Sequence, residues 1–208
     1  MENAPSRVKE LTQSEVNGIG WGLCLMAFFT LIWAGICFGG VNATPYWFAP
    51  LIFPLFSIWF VINAVKLFKI AKYFPKLTSD AEKAEGKKMG MWFGIIFGAE
   101  GLAIFVGINI VTNLGYPDLV IPTLALVVGL HFFPLAKIFK RTVDYYLATW
   151  STLIALCGFL FTLRHIMPVN YVMAFVGAGI GIATTCYGIY MIMAGREVIK
   201  KIPLVTRG

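Results

Sequence analysis

The sequence predicts an all-α integral membrane protein, a bundle of six transmembrane helices with both termini in the cytoplasm. Three observations carry that reading. The composition is too apolar for a water-facing surface: 59% of the 208 residues are hydrophobic, 13% are charged, and the mean hydropathy is +0.79, whereas soluble domains are about a quarter charged. The apolar residues also occur in long blocks, without the periodicity of half-buried elements. Finally, the positive charges sort into alternate connections.

A span needs about 20 apolar residues to cross a hydrocarbon core of roughly 30 Å, and a helix satisfies its own backbone in lipid. Residues 1–16 form a polar lead with some amphipathic character. The first span, 17–41, is too long for a signal-peptide core and lacks a small-x-small cleavage signal, so it reads as retained. Spans at 47–66, 89–112, 119–139, 144–163 and 170–194 complete a membrane domain over 17–195, with a cytoplasmic tail at 196–208. The connection 69–88 is the one sizeable loop. It carries both charge signs, and its second half reads as an exposed helix capped at Ser79 or Asp80. The other turns are tight and contain proline or glycine.

Orientation follows from the basic residues. All of the 17 lysines and arginines except Arg164 fall in the N-terminal lead, the 2–3 connection, the 4–5 turn or the C-terminal tail. Positive loops stay in the cytoplasm, so the net charge of +7 marks topology and does not point to nucleic acid. A shift of 71 residues lays spans 1–2 on spans 3–4, pairing Trp21 with Trp92 and Asn42 with Asn113. Three hairpins arranged as parallel repeats are one architecture consistent with that match.

Ionisable groups deep in a span cost roughly 2.5–3.5 kcal/mol each on insertion scales, so each needs a reason. Most charges here sit at helix ends, where they can snorkel. Glu100 and His131 do not. Each lies about 12 residues from the end of its span, ~18 Å deep at ~1.5 Å per residue. Spans 3 and 4 are joined by a short turn, so the two side chains are placed to meet. A carboxylate beside an imidazole can exchange protons near neutral pH, as proton-coupled transport requires; equally, it can be an ionic clamp between helices. Thr30, Trp33, Ser151, Thr152, Thr184, Thr185 and Tyr187 lie at depths where they could line the same site. Pro134, one turn after His131, removes a backbone hydrogen bond and frees the Leu130 carbonyl, which makes it a candidate hinge.

Small residues four apart let helix backbones approach closely. Gly90, Gly94 and Gly98 form such a stripe in span 3, Gly177 and Gly181 in span 6, and Gly18/Gly22 and Gly35/Gly39 in span 1. Helix packing is the first expectation for all of them; contact with a second copy of the chain is the other. Glu100 lies roughly 115° around the helix from the span 3 stripe, so one face can pack while another presents the carboxylate.

Enzyme chemistry finds no footing. There is no nucleophile–base–acid set, no HExxH and no phosphate-binding glycine loop. Cys24, Cys37, Cys157 and Cys186 lack metal-ligand spacing, and two histidines at different depths make no haem or metal site. No metal, cofactor or nucleic acid is therefore expected; membrane lipids are the expected surroundings.

The stretch His131-Phe-Phe-Pro134-Leu-Ala-Lys-Ile-Phe139, followed by Tyr145-Tyr146, resembles an HFxPLAxxF motif in a family of small, uncharacterised bacterial multi-span membrane proteins. The resemblance covers spans 3 to 5. It implies a bacterial inner-membrane protein and brings no reaction or ligand with it. From the residues themselves, the leading expectation is a small-solute or ion transporter or channel-like protein with a proton-titrating midplane site at Glu100 and His131. The alternative is a non-transporting scaffold, partner subunit or lipid-binding protein in which the same pair is structural.

Overall fold

The computed structural model describes residues 11–76 and 80–200, with the side chains of 81 and 82 left out. The described residues form helices and turns without strands. The helices are α1 (Gln13–Val41), α2 (Ile52–Ala71), α3 (Asp80–Asn113), α4 (Val120–Phe139), α5 (Thr142–Leu163) and α6 (Val169–Lys200). Short 3₁₀ turns at Ala49–Leu51 and Pro117–Leu119 lead into α2 and α4. All six helices are long and apolar enough to cross a membrane. Their outward faces carry large apolar side chains, among them Leu55, Leu102 and Phe105, each about two-thirds exposed. So much exposed hydrocarbon needs a lipid solvent.

Local chemistry sets the ends. Thr12 caps α1 in a reciprocal box: its hydroxyl accepts from the Glu15 amide, and the Glu15 carboxylate accepts from the Thr12 amide at 2.8 Å. Helix α3 ends at Gly115, whose φ of 83° is free of cost for glycine, while the Tyr116 amide returns to the Val111 carbonyl. Two other ends use the left-handed conformation without glycine, at Lys140 and His165. Only Lys140 and Arg141 separate α4 from α5, so these two helices form a tight hairpin.

Several boundaries differ from the sequence reading: α1 begins at Gln13, inside the expected lead, and α2 lies five residues later than 47–66. The exposed helix expected in the second half of the 69–88 connection is not separate: α3 is one continuous 34-residue helix from Asp80. At ~1.5 Å per residue it is ~51 Å long, well beyond the hydrocarbon thickness. Of the two expected caps, Asp80 is the first residue of α3 and Ser79 lies outside the described residues, as do residues 1–10 of the lead and 201–208 of the tail. The first part of that tail, to Lys200, continues α6.

Helix α6 is the hub. It packs most extensively on α1, and also on α2, α4 and α5. Its glycines explain how. A methyl group at Gly177 would meet the Cys37 backbone nitrogen at 2.6 Å and the Trp33 carbonyl at 3.0 Å, so α1 and α6 touch backbone to backbone. Gly40 on α1 presses on the backbone of Asn170 and Ala174 in the same way. Along α2 the fit is periodic: Gly181, Gly188 and Gly195 receive Phe53, Phe60 and Leu67 in turn. Both series step by seven and rise together, so α2 and α6 run parallel with a heptad seam.

The glycine stripes read from sequence thus divide. Gly177 and Gly181 pack as expected. In α1 the stripe holds only in part: Gly22 packs on Met191 of α6 as expected, whereas Gly18 and Gly35 meet nothing, Gly39 barely touches Met173, and the close backbone approach is at Gly40. On α3 the expectation of helix packing fails, because Gly90, Gly94 and Gly98 have no neighbour within 4 Å. Helix α3 instead attaches through the face that carries Phe93, Ile96 and Glu100, chiefly to α4.

Candidate functional site

Glu100 sits on the buried side of α3, in line with Ile96 and Phe93, which pack into the main apolar cluster with Phe132 and Leu135 of α4. His131 projects from α4 to meet it. The imidazole Nδ1 lies 3.1 Å from the Glu100 Oε1, with the two side chains only 10% and 7% exposed. That is ion-pair distance, but Nδ1 is off the line of a well-formed hydrogen bond. Aromatic rings surround the pair: Phe132 stands 4.2 Å from the imidazole centroid to centroid, Phe97 6.0 Å away edge-on, and Phe29 of α1 packs on Phe97. A carboxylate and an imidazole are therefore held together where little but apolar surface surrounds them, and their interaction is strengthened by the low local dielectric.

The residues expected to line the site go to three places. Thr30 donates to Thr184 at 2.9 Å across the α1–α6 contact, and Thr184 and Thr185 both donate back to the Gly181 carbonyl. Trp33 is packed in a second apolar cluster with Val172 and Val176. None of these bonds reaches Glu100 or His131, so their hydroxyls serve helix contacts. Ser151 and Thr152 lie on the α5 face against α4, where Gly129 lets Thr152 approach the α4 backbone. Both hydroxyls are buried without a hydrogen-bond partner. Tyr187 is buried on α6, its ring edge-on to Phe132. Pro134 stands inside α4 as expected, and the helix continues past it to Phe139.

One group escaped the sequence reading. Asp144, assigned to the end of span 5, is 1% exposed, and neither carboxylate oxygen has a well-aligned hydrogen-bond partner. The Tyr187 hydroxyl from α6 stands beside it, and the charges of Arg141, at the start of its own helix, and of His131 on α4 act on it at longer range. Arg141 donates to the Tyr187 hydroxyl at 3.0 Å. A signal for it exists in the sequence: Asp144, Ala148, Ser151 and Ala155 share one α5 face, small or polar throughout, and all four are buried. That pattern marks a contact face and so turns Asp144 inward.

Two crevices lie elsewhere. One, about 340 Å³, opens between α1, α2 and α6 and is lined by apolar groups including Cys37, Phe53 and Ile182. Another follows the C-terminal end of α3 near Asn109. Neither includes Glu100 or His131. Chemistry and not cavity size singles out the pair, since neither crevice is lined by a carboxylate, an imidazole or a basic side chain. No three His, Cys, Asp or Glu side chains among the described residues converge as a metal site.

No protein-family model matches the chain, and no curated protein or solved structure is similar to it. The functional reading therefore rests on geometry alone.

Proposed function

We propose that the chain is a small transporter of the bacterial inner membrane, with both termini cytoplasmic, that moves a small solute or ion in step with protonation of Glu100 and His131. The observation that carries this is the pair itself: two groups that exchange protons, 3.1 Å apart and almost wholly buried in an apolar helix layer. Groups of this kind inside membrane helices mark ion and proton routes. Support comes from the seam beside it, where Asp144, Ser151 and Thr152 bury polar atoms without partners. Such atoms are costly unless a transported ion, solute or water satisfies them. Pro134, a turn from His131, supplies a place for α4 to bend as the site changes its exposure.

A second reading has its own observation. Helix α3 is attached chiefly to α4, so the Glu100–His131 contact can act as the clamp that holds it, in a scaffold, partner subunit or lipid-binding protein. Flux separates the two. Protein in liposomes with a trapped pH dye should pass protons under a pH gradient, and Glu100→Gln should abolish the flux while the purified protein stays folded. Flux in Glu100→Gln equal to wild type would sink the transport reading. A screen of ions and metabolites by thermal shift, on wild type and Glu100→Gln in parallel, then names the cargo.

A further inference from the structure

Residues 16–65, 89–113, 119–136, 145–163 and 169–195 contain no Asp, Glu, Lys, Arg or His other than Glu100 and His131. The pair therefore has no other formal charge near it within the spans. While it shares one proton its net charge is zero, whichever group holds that proton. When the proton leaves, a single negative charge remains in an apolar layer, and a lone buried charge is costly. What the site then lacks is one positive charge, and its surroundings say of which kind. Phe132 and Phe97 stand 4.2 and 6.0 Å from the imidazole, Phe93 packs on Phe97 at 4.8 Å, and Phe29 of α1 closes on Phe97 at 6.2 Å. Phenyl faces within about 6 Å attract organic cations. Oxygen ligands, which hard inorganic cations need in numbers, are turned elsewhere. The hydroxyls of Thr30, Ser57, Thr184 and Thr185 are engaged with one another or with their own helices. Ser151 and Thr152 pack against Gly129. His131, two residues further on, points about 200° around α4, so those hydroxyls lie across the helix from the pair, where water can satisfy them.

Building on the proton-coupled reading above, we propose that the cargo is an apolar monovalent organic cation, exchanged for one proton at Glu100. The charges balance. The shared proton leaves for water as the cation arrives beside the carboxylate, His131 ends neutral, and the site is uncharged before and after. Proton and cation compete for one carboxylate, so they do not ride together, and the pH gradient sets the direction of exchange. Other titratable groups stand back. On α6 the Tyr187 phenol lies beyond Phe132, the two rings 6.1 Å apart, and on α5 Asp144 acts on His131 only at longer range. The route also suits an apolar cargo. Helix α3 is largely uncovered, so the pair is one helix away from lipid. Phe29 against Phe97 is a ring contact that joins α1 to α3, and parting those rings opens the site sideways to the bilayer, where an apolar cation gathers.

The test is a titration of the full chain in detergent, in weak buffer with a pH dye. The probes are the tetraalkylammonium ions from tetramethyl to tetrabutyl, and tetraphenylphosphonium. At least one should bind and release one proton per cation. Its affinity should rise about tenfold per pH unit while the pair is protonated and level off once it is not. Glu100→Gln should abolish both binding and release. Phe97→Leu, which keeps apolar surface and loses the π face, should weaken binding about fivefold. Tetraphenylborate, the shape of tetraphenylphosphonium with the opposite charge, should not bind. Failure of every cation to bind at about pH 8, above the ordinary histidine range, overturns the inference. Binding that Glu100→Gln retains overturns it too, and so does displacement by equimolar sodium or potassium. If Glu100→Gln does not fold, the proton count on wild type decides: one proton released per cation sustains the exchange, and binding without release overturns it. Binding with release but no pH-driven uptake into liposomes removes the transport reading and leaves the cation site. Proton flux that needs Glu100, with no organic cation bound, keeps transport and removes the cation.

Discussion

Helices α6 and α3 are both long, apolar and rich in glycine, yet they are used in opposite ways. In the most apolar stretch of α6, 61% of residues are buried; in that of α3, 11%. The α6 glycines are contact points where α1 backbone and α2 side chains lie against the helix, while the α3 stripe of Gly90, Gly94 and Gly98 faces outward. Helix α3 nevertheless contributes a buried acidic group, Glu100. Small residues therefore do not mark a contact by themselves; a partner of complementary shape at the same register does. What fastens α3 is a short apolar strip plus one polar contact, Glu100 to His131.

The largest expected effect separates the two helices outright. Gly177→Leu places a side chain where the Cys37 nitrogen would stand 2.6 Å from its first carbon, and backbone cannot step aside as a side-chain tip can. Overpacking of this kind costs typically 1–3 kcal/mol and more where the obstacle is backbone, so the variant should fail to run as a single species on gel filtration in detergent. Gly94→Leu on α3 should behave as wild type in the same assay. Equal damage from both would mean that the α3 stripe is also covered, and the contrast between the helices would fall.

Next in size is the polar contact. Glu100→Gln, His131→Phe and the double variant form a cycle, read as thermal unfolding in one detergent. Removing one partner of a buried pair costs up to about 3–5 kcal/mol, less here because imidazole can shed its charge. Because α3 leans on this contact, a coupling of about 1–3 kcal/mol is expected. A coupling near zero would leave the apolar contacts of Phe93, Ile96, Phe97 and Gly107 to hold the helix.

The six spans were legible because hydropathy over 20 residues records the solvent, and lipid imposes that record on every crossing helix. The approach of Glu100 to His131 was legible for a related reason: equal depth on neighbouring spans, joined by a short turn, leaves few other partners. What could not be read was facing. The outward turn of the α3 glycines depends on which helices come to lie beside it, and on α1 it is Gly22 and Gly40, and not Gly18, Gly35 or Gly39, that meet α6 closely. The 71-residue match of spans 1–2 to spans 3–4 likewise says nothing of surroundings, since α1 is packed against α6 and α3 is largely uncovered. Asp144 was hidden by its position. A carboxylate near a span end reads as exposed until the small residues one and two turns on show that its face is a contact.

A smaller effect tests whether polar bonds help hold the hub. The Trp150 indole donates to the Gly179 carbonyl at 2.8 Å, joining α5 to α6. That carbonyl is already engaged in its own helix, so Trp150→Phe removes one bond and strands no acceptor. About 1 kcal/mol should be lost, visible as a modest fall in unfolding temperature without change of oligomeric state.

The smallest effect belongs to the one hydroxyl pair across α1 and α6. Thr30 donates to Thr184 at 2.9 Å, but the Thr184 hydroxyl also donates to the Gly181 carbonyl within its own helix. Thr30→Val keeps the side-chain shape, leaves Thr184 satisfied, and removes only the interhelical bond, for which membrane helices show about 0.6 kcal/mol. Thermal unfolding should barely move. A loss of about 2 kcal/mol or more would mean that α6 is bound by polar groups as well as by shape, and would narrow its difference from α3, where one polar contact carries so much of the attachment.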